Sequence, residues 1–372
     1  MALSLSQALR DLDTVPALLE SIRPRSHECF WFLQAEEWAS KATLALEQLT
    51  VIYEENDKSE EAYEEPTEFR CLRLLDKHLE LLMGTEDLQG LFKEKLDDLE
   101  MVELLLPFVD PSAENNDAIR WVSERGHLAV VERLLQARDA SGRLCDRPCM
   151  RVDPSADNNF AIRCASQNGH IAVVERLLQD ERVDPSADNN FAIRWASDND
   201  RLAVVNRLLA DERVDPSAAN NDAIRWASER GHLAVVKRLL QDERVDPSAL
   251  DNNAIQWASH NGHLAVVERL LADERVDPSA DNNYAIRITT NNGHLAVVER
   301  LLADERVDPS ADDNKAIRCA SQNGHIAVVN RLLQDERVDP SVDNNYAIRW
   351  ASQNGHLAVV ELLKAHGCVL SS

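Results

Sequence analysis

Apolar positions along most of this chain fall in two short helical rhythms separated by polar turns. In one stretch Ala161, Ile162, Cys164 and Ala165 stand at i, i+1, i+3 and i+4, the spacing of one face of a short helix. Pro154-Ser155 and Asp157-Asn158 precede it, residue types that suit turns and N-caps. Asn168-Gly169 follows, and glycine takes up the left-handed conformation that ends a helix. A second helix is predicted from His170 to about Gln179, with Ile171, Val174, Leu177 and Leu178 on one face. Asp184-Pro185 stops it and turns the chain.

This helix–turn–helix–loop pattern recurs every 31 residues. Asp-Pro pairs mark the period at Asp153, Asp184, Asp215, Asp246, Asp277, Asp308 and Asp339. Asp110 stands 43 residues before Asp153, one period plus a 12-residue insertion. About eight units therefore fill 110–372, with the insertion at 139–150. A fixed period of this size marks an all-α solenoid, whose units bury their apolar faces only against neighbours and whose ends need caps. Leu362 replaces the Arg of the other copies, which suits a C-terminal cap. Leu99 to Leu106 reads as a second helix, so 67–109 is expected to be a degenerate first, capping repeat. Residues 1–54 carry helical spacing and an aromatic cluster of Trp31, Phe32 and Trp38, and 55–66 read as an acidic linker.

The run Gly169-His170-Ile171-Ala172-Val173-Val174-Glu175-Arg176-Leu177-Leu178 resembles the Gly-His-Leu-Glu-Val-Val-Lys-Leu-Leu-Leu block of the ankyrin repeat. Ala161-Ile162-Arg163 stands where that family has Thr-Pro-Leu-His, in the variant Asn-Asn-x-Ala-Ile-Arg-Trp-Ala-Ser that is similar to arrays of giant viruses, amoebae and other protists. The period is 31 against the family's usual 33, so the resemblance implies a shortened β-hairpin finger between units. Asp-Glu-Arg-Val-Asp-Pro replaces the family's Gly-Ala-Asp loop.

Charge narrows the class of partner. The formal net charge is −25 and the pI about 4.8. Residues 1–100 hold 23 acidic against 10 basic side chains, and the remainder 42 against 30, so acidity is heaviest at the N-terminal end. Nucleic acid and anionic membranes need clustered cations, and neither is expected to bind. A protein with a polar or basic surface is. Seven scattered cysteines give no disulfide framework, and no stretch reads as a signal peptide or a membrane span. The expected setting is soluble, intracellular and cytoplasmic.

Several constellations could carry chemistry. The seven Gly-His histidines (His127, His170, His232, His263, His294, His325, His356) lie one per unit, about 8–10 Å apart, too far to share a metal. They are expected to bond the neighbouring loop. Trp121, Trp195, Trp226, Trp257 and Trp350 share one position with Cys164, Ile288 and Cys319. Those substitutes favour an apolar seam over an aromatic ladder, and Trp226→Ala would then cost about 3–5 kcal/mol. The glycines Gly169, Gly231, Gly262, Gly293 and Gly324 are structural, and Asp200 replaces one of them in a left-handed position. Arg163 and its counterparts could form a phosphate stripe; the family likeness implies that they tie loop carbonyls together. Cys145 and Cys149 could supply half a zinc site, with no second pair nearby. No phosphate-cradling loop, metalloprotease helix or nucleophile elbow is present, so neither catalysis, a cofactor, a metal nor a small-molecule substrate is expected.

The resemblance implies binding through the concave face and the loops. Carried onto this chain, the loop-side positions include Asp157, Asn159, Asp188 and Leu250. The first-helix ends supply Gln167, Asp198, Glu229, His260 and Asn291. The position after the Asn pair varies most, as Phe160, Phe191, Asp222, Tyr284, Lys315 and Tyr346, and aromatics there suit hot spots. Two functions are open at this stage: a non-catalytic scaffold or subunit of a larger assembly, and a substrate-recruiting adaptor of a ubiquitin ligase docking through the N-terminal helices.

Overall fold

The computed structural model describes residues 88–106, 109–136 and 152–370. The expectations for 1–54, 55–66 and the insertion with Cys145 and Cys149 lie outside the described residues. All regular structure among the described residues is helical: α1 (Leu88–Glu94), α2 (Leu99–Leu105), α3 (Ala113–Arg125), α4 (Leu128–Leu135), α5 (Ala156–Asn168), α6 (Ile171–Leu177), α7 (Ala187–Asp198), α8 (Leu202–Leu209), α9 (Ala218–Arg230), α10 (Leu233–Leu239), α11 (Ala249–His260), α12 (Leu264–Leu271), α13 (Ala280–Asn292), α14 (Leu295–Leu302), α15 (Ala311–Gln322), α16 (Ile326–Leu332), α17 (Val342–Gln353) and α18 (Leu357–Ala365). Two compact units divide the chain, Met1–Ala161 and Ile162–Ser372.

In the first unit α1 packs on α2, α2 on α4, and α3 on α4. Phe92, Met101, Val102, Ile119, Val122, Val131 and Leu134 are fully buried among them or nearly so. Asp98 caps α2, its carboxylate accepting the Glu100 and Met101 amides at 3.0 and 3.2 Å. The cap occupies two amide donors that an α-helix leaves without partners at its start.

In the second unit the first helices of successive repeats, α7, α9, α11, α13, α15 and α17, stack in one row, and the second helices, α6 to α18, in another. The reason is the size of the facing side chains. Ala192, Ile193 and Ala196 on α7 pack with Val204, Val205 and Leu208 on α8, all fully buried, and the same triads recur in the other pairs except that Thr289 takes the last alanine's place on α13. Alanine brings the first-helix row close, while Val and Leu fill the space between the rows. The loop valines Val183, Val214, Val245, Val276 and Val307 close the core from the end of each unit. No strand forms among the described residues, so the short finger is a loop alone.

The start of every first helix departs from a simple N-cap. Three consecutive residues turn left-handed there, as Asp157-Asn158-Asn159 do at φ of 55, 56 and 59°. The same occurs at Glu114–Asn116, Asp188–Asn190, Ala219–Asn221, Leu250–Asn252, Asp281–Asn283, Asp312–Asn314 and Asp343–Asn345. The serine ahead makes no side-chain cap in α7; its carbonyl accepts the amide of Asn190 at 2.7 Å, which closes the reversed turn. Left-handed backbone crowds Cβ against the carbonyl, a cost that Asn and Asp bear more easily than other side chains. The repeated Asn pair is thus a backbone requirement.

Candidate partner-binding face

Each repeat is stitched to the next by three devices that leave the intervening face free for other work. The second Asn of each pair turns inward. Asn190, Asn221, Asn252, Asn283 and Asn314 accept, through Oδ1, the backbone amide of the following Asp-Pro aspartate at 2.7–2.8 Å. Asn116 does the same for Asp153 at 2.7 Å, and Asn345 for Val369 at 3.2 Å. Asn159 is only 8% exposed, so the partner contact expected at that residue gives way to a structural position.

The Gly-His pair forms the second device. His232, His263, His294 and His325 donate Nε2–H to the carbonyls of Asp198, Glu229, His260 and Asn291 in the preceding repeat, each at 2.9 Å. A Cβ added to Gly262 would lie 2.7 Å from His294 Nδ1, so the glycine serves both its φ of +75° and the neighbour's ring. Where Arg201 replaces the histidine, its Nε–H reaches the Gln167 carbonyl at 3.2 Å, and Asp200 takes the glycine's left-handed place at φ 58°.

Third, each Asp-Glu-Arg loop latches to the one before. Arg244 clasps its own Asp242 through Nε and Nη2 at 2.9 and 2.8 Å, and donates Nη1–H to the Val214 carbonyl at 2.8 Å. Arg213, Arg275, Arg306 and Arg337 repeat the pattern. The arginine's hydrogen bond holds the carboxyl of Asp242 below its ordinary value, and the same holds for Asp211, Asp273, Asp304 and Asp335.

Between these stitches lies a face of aromatic and guanidinium groups. Arg163 reaches Asp188 at 2.6 Å and lies 4.9 Å over the Phe191 ring. In the first unit Arg120 treats Asp157 and Phe160 in the same way, at 2.6 and 5.3 Å. Arg287 pairs with Asp312, and Arg318 with Asp343 at 3.5 Å. Where the loop acid is lost to Ala219 and Leu250, the arginines change partner. Arg194 goes to Asp222 at 3.0 Å, and Arg225 to Asp222 at 2.6 Å and Asn253 at 3.0 Å. Several arginines also tie a carbonyl of their own reversed turn, as Arg287 does that of Asp281 at 3.1 Å. The guanidinium row is therefore mostly spoken for, which leaves little of it for phosphate.

The tryptophans lie on this face and outside the core. Trp195 and Trp226 meet edge to face at 5.6 Å, Phe191 stacks on Trp195 at 5.2 Å, and Arg194 covers Trp226 at 5.0 Å. The apolar seam belongs to Ala, Ile, Val and Leu, and the indoles form a half-exposed ladder beside it. Trp226→Ala accordingly leaves no closed cavity, and its expected cost drops to about 1–2 kcal/mol.

The remaining candidates scatter by depth. Asp157, Asp188 and Leu250 are exposed; Phe160, Phe191, Tyr284, Lys315 and Tyr346 are half-buried on the face. Gln167, Asp198, Glu229, His260 and Asn291 line the first-helix ends, with Asp198 bound to Arg230 at 3.0 Å and Asn291 to Asn323 at 3.0 Å. Asp222, 8% exposed and shared by two arginines, is withdrawn from contact. Asp251, Asn282 and Asp313, exposed in the reversed turns, are surface that a local reading of caps overlooks. Their signal was three turn-formers in a row, repeated. Among the described residues no group of three His, Cys, Asp or Glu could hold a metal ion, and no helix is long and apolar enough to cross a membrane.

Paired helices of fixed period, joined by glycine turns and side chains that recur at one offset, define a helical-repeat array. Residues 193–283 and 283–372 each match the family model described as ankyrin repeats, 3 copies. Residues 193–372 are built of ankyrin repeats. No curated protein matches it. Ankyrin repeats generally mediate protein–protein interaction.

Proposed function

We propose that this protein is a non-catalytic scaffold, or a subunit of a larger assembly, that holds a protein partner against the first-helix face and the reversed turns of 162–370. One observation carries the reading. The side chains that stitch repeat to repeat are nearly constant, whereas one position between them changes: Phe191, Asn253, Tyr284, Lys315 and Tyr346, all half-exposed, share it with the buried Asp222. A surface used only for stacking has no need of such variety. Amides and carboxylates border the aromatics, a setting for a polar or basic extended segment.

Affinity capture on the full chain followed by mass spectrometry tests this reading. The expected result is one stable stoichiometric protein whose recovery drops at least about tenfold in Tyr284→Ala/Tyr346→Ala, matching the loss of two hot-spot rings. Glu268→Ala, on the exposed side of α12, is expected to keep it. Equal loss in both variants, or no partner at all, would remove the assignment.

A further inference from the structure

The aromatic rings of the face are, with few exceptions, covered from within. Arg163 lies over Phe191, Arg194 over Trp226, Arg287 over Tyr284 and Arg318 over Tyr346, at 4.7–5.6 Å. Trp195 is enclosed by Phe191 and Trp226, and Trp350 lies against Tyr346. Trp257 differs. It is 39% exposed, meets only the edge of His260 at 5.2 Å, and has no guanidinium over it among the described residues.

The reason is written in three neighbouring substitutions. Arg194 covers a tryptophan 32 positions further on, and the same offset from Arg225 leads to Trp257. Asp222 and Asn253, however, hold the Arg225 guanidinium at 2.6 and 3.0 Å. Asn253 stands where four other repeats carry Phe or Tyr (Phe160, Phe191, Tyr284, Tyr346), so the ring that would lie against Trp257 is also missing. Leu250 beside this turn is 51% exposed in a left-handed conformation that leucine rarely adopts. The repeat thus leaves vacant a cation position that the preceding repeat fills with Arg194.

We propose that Trp257 receives an arginine or lysine side chain of the bound partner, with Leu250 supporting the apolar stem of that residue. This rests on the docking-face reading and names the chemistry of its centre. Net charge of −25 makes a cationic segment the complementary occupant. The face of an indole attracts a guanidinium or ammonium within about 6 Å, most strongly where water is displaced.

The test uses the full chain and two synthetic probes, an acetylated hexa-arginine amide and its hexa-citrulline counterpart, which keeps the shape and removes the charge. Affinity for the arginine peptide should drop roughly threefold to thirtyfold in Trp257→Leu, the range of one cation–π contact. Trp226→Leu, whose ring Arg194 already covers, should change it little. Trp257→Phe should retain most of the affinity, and the Trp257 indole resonance should shift with the arginine peptide and not with citrulline. Equal losses in the two leucine variants, or none in Trp257→Leu, would overturn the slot. A captured partner protein that binds Trp257→Leu unchanged would overturn it while leaving the docking face standing. Failure to capture any protein would remove the docking face, and the peptide titration would still decide the slot.

Discussion

Two stretches of the second unit solve the same stacking problem in different ways. In the repeats that begin at Ala280 and Ala311, an acid opens the reversed turn and the arginine of each closes on the acid of the next, Arg287 on Asp312 and Arg318 on Asp343. In those that begin at Ala218 and Ala249 the turn opens with Ala219 and Leu250, Asp222 and Asn253 stand where the first stretch has Tyr284 and Lys315, and the arginine of the second becomes Gln256. The backbone does not respond: φ at the first turn residue is 54 and 53° in the central pair and 50 and 56° in the outer pair. The inward machinery therefore fixes the fold, and face residues are free to be exchanged against one another. Where they are exchanged furthest, an indole and a leucine are left open to solvent.

The largest effect should come from the machinery that both stretches share. Asn252→Ala removes the acceptor of the Asp277 amide and puts alanine in a left-handed turn. A buried donor left unpaired and the left-handed backbone together cost about 2–4 kcal/mol. Asn283→Ala, which frees the Asp308 amide in an outer repeat, should cost the same. Urea denaturation followed by circular dichroism measures both. A central variant that is much milder than the outer one would mean that the central repeats are held by something besides this stitch.

Leu250→Asp sharpens the difference itself. Aspartate tolerates the left-handed backbone that leucine resists, and it restores the turn chemistry of the outer repeats, so stability should rise by about 1 kcal/mol. Partner binding should weaken at the same time. Gain of stability with loss of binding is the mark of a residue kept for function. A variant that is destabilised would show that leucine is packed in that turn.

Asp200→Gly is a smaller case of the same kind. The residue occupies a left-handed C-terminal turn at φ 58° where other repeats have glycine at φ near 80°. Glycine there should add about 0.5–1 kcal/mol. A lower melting temperature would instead assign weight to the Asp200 carboxylate near His232, 4.0 Å away.

Period, Gly-His pairs and the Val-Val-x-x-Leu-Leu rhythm made the helix pairs legible from the chain, because each is a local consequence of local residues. Asn159 and Trp257 depart from what their sequence context suggests for opposite reasons. Asn-Asn looks like a surface turn, yet reversing the backbone points the second side chain inward to a bond made 25 residues away in its counterparts. Tryptophan looks like core, yet the alanines on either side of it take the buried faces of the helix, and the indole is left on the flank. Contacts between repeats decide both, and they appear only when copies are superimposed at the period.

The smallest effect concerns the loop latches, which central and outer repeats carry alike. Asp242 in the centre and Asp304 and Asp335 further along are held below the ordinary carboxyl value of 3.8, first by the hydrogen bond from the arginine two residues on, against a burial effect that acts the other way. A carboxylate with a depressed folded pKa contributes its stability in full above the unfolded value, and loses it as pH falls through the lower folded one. The latches should therefore be silent between about pH 5 and 8 and fail below about pH 4. The arginines are 42–44% exposed, so solvent screens each pair and the effect per latch is small. Melting temperature against pH, with Arg244→Gln beside the unaltered chain, measures it. The variant should show a shallower acid slope, and 0.5 M salt should shrink the difference, since the screening length is then only a few ångström. Parallel slopes would mean that the latches order the loops without supporting the fold in acid, and that the Asn stitch and the buried triads bear that part alone.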